Sequence, residues 1–283
     1  MTVAALLFDA AATLAAAGVE APDRDAERLL RHVLGWDRAR LIAHPEHDVP
    51  AELAASFGAL LARRASREPL QYILGTQAFW KHEFLVTPAV LIPRPETEIL
   101  VETSLELLRG IERPRVVDVG TGSGCVALSL AAERPDAELH ATDTSAPALG
   151  VAIENARRLG LEGRVAFHHG DLLAPVARFA GRIDLVVSNP PYVDPAERKA
   201  LAPEVRDHEP ALALFPPGDP LSVYRRLARA SASSLRPGGW LVVELGQGQA
   251  SSVQAACRDE GLGPTRLDRD LAGIPRSLAA RRA

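Results

Sequence analysis

The residues with the clearest chemical potential form a short loop, Ser188-Asn189-Pro190-Pro191-Tyr192, at the end of an apolar run at 183–188. Two consecutive prolines lack N–H donors, so the loop offers carbonyl acceptors, and Asn189 adds a side-chain carbonyl oxygen. Together, the Asn189 side chain and the Pro190 carbonyl can hold both hydrogens of a planar NH2 group, while the Tyr192 ring packs on its face. The pattern indicates catalysis on an amide-like NH2 group by positioning and electrostatics, without a strong general base.

A second chemical signal is the glycine-rich turn Gly120-Thr121-Gly122-Ser123-Gly124, which follows the apolar strand predicted at 115–119. A helix is predicted to begin near Cys125. A turn of this kind lets a ligand approach the backbone at the carboxyl edge of a parallel sheet. The dinucleotide-binding fingerprint requires glycine where Cys125 stands. The turn therefore favours a nucleoside ligand without a pyrophosphate.

Acidic residues mark the ends of three predicted strands. Asp118 precedes the glycine turn, Asp143 ends the next strand, and Asp171-Leu172 follows the third. A carboxylate at the position of Asp143 can accept hydrogen bonds from both ribose hydroxyls, and Asp171-Leu172 is placed to meet an adenine. The residues expected to contact the cofactor are Asp118, Gly120, Thr121, Gly122, Ser123, Gly124, Asp143, Asp171, Leu172 and Asn189. The cofactor that suits both the nucleoside site and the NH2-binding loop is S-adenosylmethionine, whose methyl group is reactive because it is bonded to a sulfonium.

Apolar spacing predicts two kinds of structure along the chain. Before residue 75, apolar stripes predict three helices, one of them capped by Asp23 and another started by Pro50. Aromatic residues flanking Lys81-His82-Glu83 predict a hairpin. From residue 115, strands and helices alternate, which predicts a parallel α/β sheet covered on both faces. We therefore expect a helical domain at 1–75, a hairpin linker at 76–95 and an α/β domain at 96–283.

Composition narrows the functional classes. Of the 283 residues, 47% are hydrophobic and 24% charged, and the net charge is −4, so the chain lacks the broad basic footprint of proteins that grip nucleic acid. The two cysteines, Cys125 and Cys257, imply neither a disulfide framework nor a metal site. No signal sequence or membrane span is expected, and the chain fits a reducing cytoplasm. Neither a metal, a membrane nor a directly bound nucleic acid is predicted.

Several segments together resemble the protein-(glutamine-N5) methyltransferases of peptide chain release factors, the HemK/PrmC family. The resemblance covers nearly the whole chain, and its most specific element is the proline-rich segment at 91–98 combined with the helical front domain. The segments that carry it are Glu68-Pro69-Leu70-Gln71-Tyr72-Ile73, Leu91-Ile92-Pro93-Arg94-Pro95-Glu96-Thr97-Glu98, residues 118–124, Ser188-Asn189-Pro190-Pro191-Tyr192, Glu209-Pro210-Ala211-Leu212 and Gly238-Gly239-Trp240-Leu241.

This resemblance implies a Rossmann-like seven-stranded methyltransferase sheet whose last strand is antiparallel, and a helical N-terminal domain that holds the protein substrate. It implies S-adenosylmethionine as cofactor, with S-adenosylhomocysteine as product. The implied target is the side-chain amide of the glutamine in the Gly-Gly-Gln motif of class I peptide chain release factors. The cofactor contacts then fall on 120–124, Asp143 and Asp171-Leu172, and the target-amide contacts on Asn189, Pro190, Pro191 and Tyr192.

Two other functions use the same residues. An adenine- or guanine-amino methyltransferase acting on DNA or RNA would need the same NH2-holding loop, together with a local basic patch around Asn189. A nucleotide-binding module without catalysis would keep the glycine turn and lack methyl transfer. Incubation with labelled S-adenosylmethionine and either a release factor or a nucleic acid distinguishes these three functions by which molecule takes up the label.

Overall fold

A computed structural model describes residues 1–270 and 272–283 of the chain. The described residues form two compact units. The first comprises Met1–Gly75 together with Ala202–His208, and the second comprises Thr76–Leu201 together with Glu209–Ala283. The short segment at 202–208, which no sequence pattern set apart, thus belongs with the first unit.

The first unit is helical before residue 75. Its helices are α1 (Val3–Ala16), α2 (Pro22–Leu34), α3 (Arg38–Ala43), α4 (Ala51–Ala65) and α5 (Leu70–Leu74). The three helices expected from apolar spacing are α1, α2 and α4, and their buried faces meet around Leu14, Leu29 and Phe57. Asp23 does not cap α2 as expected. The capping position is Ala21 and the helix begins at Pro22, so Asp23 lies in its first turn, where a negative charge is favourable.

The second unit contains a hairpin, an α/β sheet and its helices. In chain order these elements are β1 (Thr76–Phe79), β2 (His82–Leu85), α6 (Glu98–Leu107), β3 (Arg115–Val119), α7 (Cys125–Glu133), β4 (Glu138–Asp143), α8 (Ala146–Arg158), β5 (Val165–His169), β6 (Ile183–Ser188), then α9 (Pro203–His208) of the first unit, α10 (Ala211–Leu214), α11 (Ser222–Ser234), β7 (Leu235–Glu244), α12 (Ala250–Asp259), β8 (Leu262–Arg269) and β9 (Pro275–Arg282). Short 3-10 turns lie at Pro95–Thr97, Ala174–Phe179 and Pro195–Ala200.

The large sheet has seven strands in the order β5-β4-β3-β6-β7-β9-β8, as the family resemblance implied. All pairings from β5 to β7 are parallel, whereas β9 runs antiparallel to both of its neighbours. After β5 the chain returns to the other side of β3, so the strand order reverses between β3 and β6. In sheets of this kind the crevice at that reversal, beyond the carboxyl ends of the strands, is the ligand site.

A charged cluster holds α9 within the first unit. Arg64, on α4, is buried, and its guanidinium contacts Asp25 at 2.8 Å and Glu204 of α9 at 2.9 Å. Arg67 makes two further hydrogen bonds to Glu204, each 2.7 Å long. Burial alone would raise the pKa of Glu204, but the hydrogen bonds from Arg67 and Arg64 outweigh it and hold the pKa at about 2. Glu204 is therefore ionised, as an anchor for two cations must be.

In the part of the chain that the structure describes, no helix is both long enough and apolar enough to cross a bilayer. Both cysteine thiols are free and buried.

Candidate active site

A cavity of about 300 Å³ lies in the second unit, at the carboxyl ends of the strands that flank the reversal of strand order. It is lined by residues of the glycine turn, of the ends of β4 and β5, and of the loop after β6. The expected site residues found in its lining are Asp118, Gly120, Thr121, Gly122, Ser123, Asp143, Asp171, Leu172, Asn189, Pro190 and Pro191. The sheet topology thus brings residues from four separate strand ends to one crevice. Two expected residues, Gly124 and Tyr192, lie beside the cavity and not in its lining.

The glycine turn needs glycine for two different reasons. Gly120 and Gly122 have φ of 72° and 56°, a region that other residues rarely adopt, and a Cβ at either position would meet only open space. Gly124 also has a positive φ of 81°, but a Cβ there would approach Ala152 of α8 to 3.1 Å. The first two glycines therefore leave the ligand edge bare, whereas Gly124 allows the start of α7 to pack closely on α8.

Asp118, near the end of β3, stabilises the glycine turn through hydrogen bonds. Its side chain is buried, and one carboxylate oxygen accepts hydrogen bonds from Thr121 Oγ1 at 2.7 Å and from the backbone N–H of Ala127 at 3.2 Å. Burial raises the pKa of Asp118 to about 7, and the nearby charge of Asp143 acts in the same direction. Asp118 thus fixes the shape of the turn in addition to bordering the cavity.

The Asp143 carboxylate, at the end of β4, borders the same cavity and is already oriented by two backbone donors. Its Oδ2 accepts from Gly122 N at 2.9 Å, and its Oδ1 accepts from Ser145 N at 2.8 Å. A carboxylate has about four acceptor positions, so each oxygen keeps capacity for a further donor. This arrangement suits a diol such as the two ribose hydroxyls.

Asp143→Ala is therefore expected to weaken the binding of S-adenosylhomocysteine by about 10- to 150-fold, which corresponds to about 1.5–3 kcal/mol for charge-assisted hydrogen bonds. Isothermal titration calorimetry gives the affinity directly. Asp259→Ala, which removes an exposed carboxylate on α12, is the matched control and should bind like the parental protein. Equal affinities for all three proteins would refute a ribose contact at Asp143.

The corner expected to meet the adenine is partly engaged within the protein. Asp171 forms an ion pair with Arg226 of α11, and Leu172 has a positive φ of 46° that turns the chain at the cavity wall. Thr142 Oγ1 donates to the Leu172 carbonyl at 2.8 Å, which ties this corner to the end of β4. The apolar Leu172 side chain is thus positioned at the wall, while the Asp171 carboxylate has a cationic partner already.

The loop after β6 is held at both ends. Ser188 Oγ donates to the Val119 carbonyl at 2.7 Å and so joins the ends of β6 and β3. Asn189 Nδ2 donates to Thr97 Oγ1 at 3.2 Å, and the Tyr192 hydroxyl donates to Glu244 Oε1 at 3.1 Å. The Asn189 amide oxygen is therefore the side-chain atom that remains to accept a hydrogen bond from a ligand.

Sequence patterns did not single out the groups that support this loop. Thr97 donates to Glu244 Oε2 at 2.5 Å. The buried Glu244 carboxylate therefore binds Tyr192 directly and Asn189 through Thr97. Burial raises the pKa of Glu244 to about 7, against the hydrogen bonds from Thr97 and Tyr192. A signal was available for each: Thr97 lies within the proline-rich segment at 91–98, and Glu244 is an acid at the end of the apolar strand β7.

A second ion pair borders the cavity near the same loop. Arg94 lines the cavity and pairs with Glu209, whose side chain is almost wholly buried. Burial raises the pKa of Glu209, although Arg94 opposes this effect, and the backbone N–H of Ile92 also donates to the carboxylate at 3.3 Å. Since Arg226 pairs with Asp171, both arginines in the described cavity lining are matched by carboxylates. The lining therefore offers no unpaired arginine to a phosphate.

Gly246 and Gln249 complete the support of Tyr192. Gln249 Nε2 donates to the Tyr192 carbonyl at 3.0 Å. A Cβ on Gly246 would lie 2.6 Å from Gln249 Oε1 and 2.9 Å from Tyr192 Cδ2, both inside van der Waals contact. The absence of a side chain at position 246 thus allows the Tyr192 ring to seat against this backbone.

Gly246→Ala is expected to displace the Tyr192 ring and lower turnover by roughly tenfold, because misplacement of a positioning group by about 1 Å costs up to about 100-fold. Affinity for S-adenosylhomocysteine should stay within twofold of the parental value. Gly150→Ala, at an exposed helical glycine whose added Cβ meets open space, is the control and should leave both quantities unchanged. Unaltered turnover of Gly246→Ala would show that the seat of Tyr192 does not matter.

The sheet order, with one antiparallel strand, and the glycine turn at the reversal of strand order define the class of the second unit: it is a Rossmann-like methyltransferase domain. Residues 95–209 match the family model of the methyltransferase small domain, and residues 5–75 match that of the PrmC N-terminal domain. The solved catalytic domain of hMettl16, in complex with a MAT2A 3′UTR hairpin, has a TM-score of 0.57 and 16% identity over 77% of this chain and 91% of that one. At this identity, the likeness concerns the fold alone.

Relatives with much higher identity extend over both units. A release factor glutamine methyltransferase from Cereibacter sphaeroides is 46% identical over 281 residues, 99% of either chain. One from Geobacter sulfurreducens is 45% identical over 269 residues, which cover 95% of this chain and 92% of the relative. The chain belongs to the family of release factor glutamine methyltransferases.

Proposed function

We propose that this protein transfers a methyl group from S-adenosylmethionine to the side-chain amide nitrogen, N5, of the glutamine in the Gly-Gly-Gln motif of class I peptide chain release factors. The observation that carries the proposal is the Asn189 side chain, fixed by Thr97 with its amide oxygen free to accept, next to a cavity bordered by the glycine turn and Asp143. The names of the nearly full-length relatives supply the release factor.

The residues present fit the cofactor. Gly120 and Gly122 leave open space where other residues would place a Cβ, and Asp143 is oriented by two backbone N–H groups with acceptor capacity to spare. We assign the ribose to Asp143 and the adenine to the wall at Leu172. When bound, S-adenosylmethionine supplies a methyl group made electrophilic by its sulfonium and becomes S-adenosylhomocysteine on losing it.

The target amide is the part of the reaction that the protein itself must activate. An amide nitrogen is a weak nucleophile because its lone pair is delocalised into the carbonyl. Asn189 Oδ1 and the Pro190 carbonyl each accept a hydrogen bond from one of its two N–H groups. These bonds orient the nitrogen and stabilise the positive charge that develops on it as it accepts the methyl group, after which the nitrogen releases one N–H proton to water. Pro191, which has no N–H of its own, keeps the backbone at this point free of competing donors. Catalysis then consists of positioning and electrostatic stabilisation.

In this proposal Tyr192 both stabilises the catalytic loop and contacts the target amide. Its hydroxyl and carbonyl are both engaged by the protein, which holds the residue against Gly246. We assign its ring to packing on the face of the planar target amide. Two glycines before the glutamine suit this site, because a chain without side chains can enter a narrow cleft.

We assign the helical residues 1–75 to the binding of the protein substrate and residues 96–283 to methyl transfer, with the hairpin linker at 76–95. The cavity of about 300 Å³ has room for small groups only, so most of a release factor must be held elsewhere. Since release factors act on the ribosome, the proposed substrate places the enzyme in the cytoplasm, which agrees with its two free buried thiols.

Methylation of an adenine or guanine amino group remains the competing function, because the NH2-holding loop suits both. The charge of the site favours the protein substrate. Arg94 and Arg226, the arginines in the described lining, are paired with Glu209 and Asp171, and Asp143 adds a further carboxylate to the same cavity. A phosphate backbone would meet repulsion here instead of the cationic contacts that dominate nucleic-acid affinity.

The test offers S-adenosylmethionine with a labelled methyl group to the enzyme together with a release factor, DNA or RNA. We expect label on the release factor alone, and mass spectrometry of its digest should place one methyl group on the Gly-Gly-Gln glutamine. A release factor with that glutamine replaced by alanine is the substrate control, and the Asn189→Ala enzyme is the catalyst control. Label on another residue, or efficient labelling of nucleic acid without the release factor, would contradict the proposal.

A further inference from the structure

Glu244 lies at the centre of a hydrogen-bonded chain that ends in the catalytic loop. Its carboxylate is 3% exposed and accepts from Thr97 Oγ1 at 2.5 Å and from the Tyr192 hydroxyl at 3.1 Å. Thr97, also 3% exposed, accepts in turn from Asn189 Nδ2 at 3.2 Å. The chain therefore runs from Asn189 through Thr97 to Glu244, and a second branch reaches Glu244 from Tyr192.

The direction of this chain follows from the chemistry of its last member. An ionised carboxylate can only accept hydrogen bonds, so the single hydroxyl proton of Thr97 is committed to Glu244. Thr97 then has only lone pairs left for Asn189. Only the NH2 end of the Asn189 amide can donate to those lone pairs, so the amide oxygen must occupy the opposite side of the side chain.

We propose that Glu244 is a positioning residue that fixes the orientation of the Asn189 amide, so that its oxygen and not its nitrogen is presented to the target NH2 group. The inference rests on the proposed function, in which the target donates both of its N–H groups. If the Asn189 amide were flipped by about 180°, its NH2 group would face the NH2 group of the target. Two hydrogen-bond donors would then meet, and the substrate would be repelled. The polarity of a buried residue would thus decide whether the loop can bind an amide in the productive orientation.

Glu244→Gln tests this polarity with nearly unchanged shape. The new amide can accept one hydroxyl through its oxygen, but its NH2 group must donate to the other. If that NH2 faces Thr97, the Thr97 hydroxyl is released to donate toward Asn189, and the Asn189 amide can turn over. We expect kcat to fall by about 10- to 100-fold. This loss is smaller than the roughly 100- to 1000-fold loss that follows removal of a group in direct contact with the reacting centre. Affinity for S-adenosylhomocysteine should remain within twofold.

Variants of Thr97 examine the same chain from its middle. Thr97→Val keeps the shape and removes the hydroxyl, so it should lower kcat as Glu244→Gln does. Thr97→Ser keeps the hydroxyl and should restore most of the activity. In the Thr97→Val/Glu244→Gln double variant, kcat should fall by less than the product of the two single fold-losses, because both substitutions act through the same hydrogen-bonded chain. Glu112→Gln, an exposed glutamate before β3, is the control and should match the parental enzyme.

A pH profile separates this role from simple packing. At saturating cofactor, kcat should rise with pH through about 7, where the buried carboxyl loses the proton with which it could donate to Thr97. Glu244→Gln, which has no such proton, should lose that inflection. The titratable and charged groups that bear on Glu244 are Glu96, Cys125, Tyr192, Tyr224 and Arg276. Asp118, whose pKa is also raised to about 7, is followed separately through the affinity for S-adenosylhomocysteine.

Nuclear magnetic resonance of the Asn189 side-chain NH2 gives a readout that needs no substrate. Its protons should exchange slowly in the parental protein, where Thr97 accepts one of them, and faster in Glu244→Gln. Parental kcat and unchanged NH2 exchange in folded Glu244→Gln and folded Thr97→Val proteins would overturn the inference. So would equal losses of turnover and of cofactor affinity. A different result would refute the proposed function instead: the Asn189 NH2 protons exchange as expected, but the parental enzyme leaves release factors unmodified.

Discussion

Asn189→Ala is expected to lower kcat by about 100- to 1000-fold, the range found when one preorganised hydrogen-bonding group is removed from a reacting centre. The substitution removes the side-chain oxygen that accepts from the target amide, and this contact strengthens as positive charge develops on the nitrogen during methyl transfer. The backbone carbonyl of Pro190 remains, so some turnover should persist. Single-turnover kinetics with a release factor measures the loss.

Cofactor affinity is the internal control for this variant. Asn189 also borders the cavity, but the ribose and adenine are assigned to Asp143 and Leu172, so the affinity for S-adenosylhomocysteine should change by less than about threefold. A loss confined to kcat marks an interaction made in the transition state. Parental turnover, or a loss of cofactor affinity as large as the loss of kcat, would show that Asn189 has a different role.

Arg64→Ala should have the largest effect on stability, a reduction of about 3–5 kcal/mol in the free energy of unfolding. The guanidinium is 6% exposed and satisfies Asp25, Glu204 and the Glu68 carbonyl together. Its removal leaves two largely buried carboxylates, Asp25 and Glu204, without this partner, although Glu204 keeps its ion pair with Arg67. Urea denaturation followed by circular dichroism measures the difference.

Arg38→Ala is the matched comparison for that prediction. Arg38 also pairs with a carboxylate of the first unit, Glu27 at 3.0 Å, but its side chain is 68% exposed. An exposed ion pair contributes about 0–1 kcal/mol, so this variant should differ little from the parental protein. Similar losses in the two variants would mean that burial does not distinguish these ion pairs.

The elements that sequence predicted well are those buried on both faces. The strands expected at 115–119 and 183–188 are β3 and β6 with the same bounds, since each is a continuous apolar run in the middle of the sheet. By contrast, β8 and β9 were implied only by the family resemblance. β8 lies at the edge of the sheet, and its second half, Thr265-Arg266-Leu267-Asp268-Arg269, contains a single apolar residue, so it forms no apolar run. Such a pattern is too weak to stand out beside the buried runs.

The site was predictable to the extent that its residues are adjacent in sequence. The glycine turn and the loop at 188–192 were found because their chemistry is local, and the sheet topology then brought them to one cavity. Thr97 and Glu244 lie 147 residues apart and meet only in the folded chain. Nothing in the sequence near either residue reveals that they share a hydrogen bond, and the same holds for Arg64 and Glu204. Long-range polar pairs of this kind require the fold.

The position of β9 sets an order in which the sheet can be completed. β9 follows β8 in the chain but lies between β7 and β8, and β8 pairs with no strand but β9 among those described. During synthesis β8 therefore emerges with nothing to pair with, and the far side of β7 stays open until β9 has been made. The two strands must then dock as a preformed hairpin or in quick succession. A nascent chain halted before Pro275 would lose two strand ladders at once and would present the edge of β7, an exposed strand edge being a template for pairing with other chains.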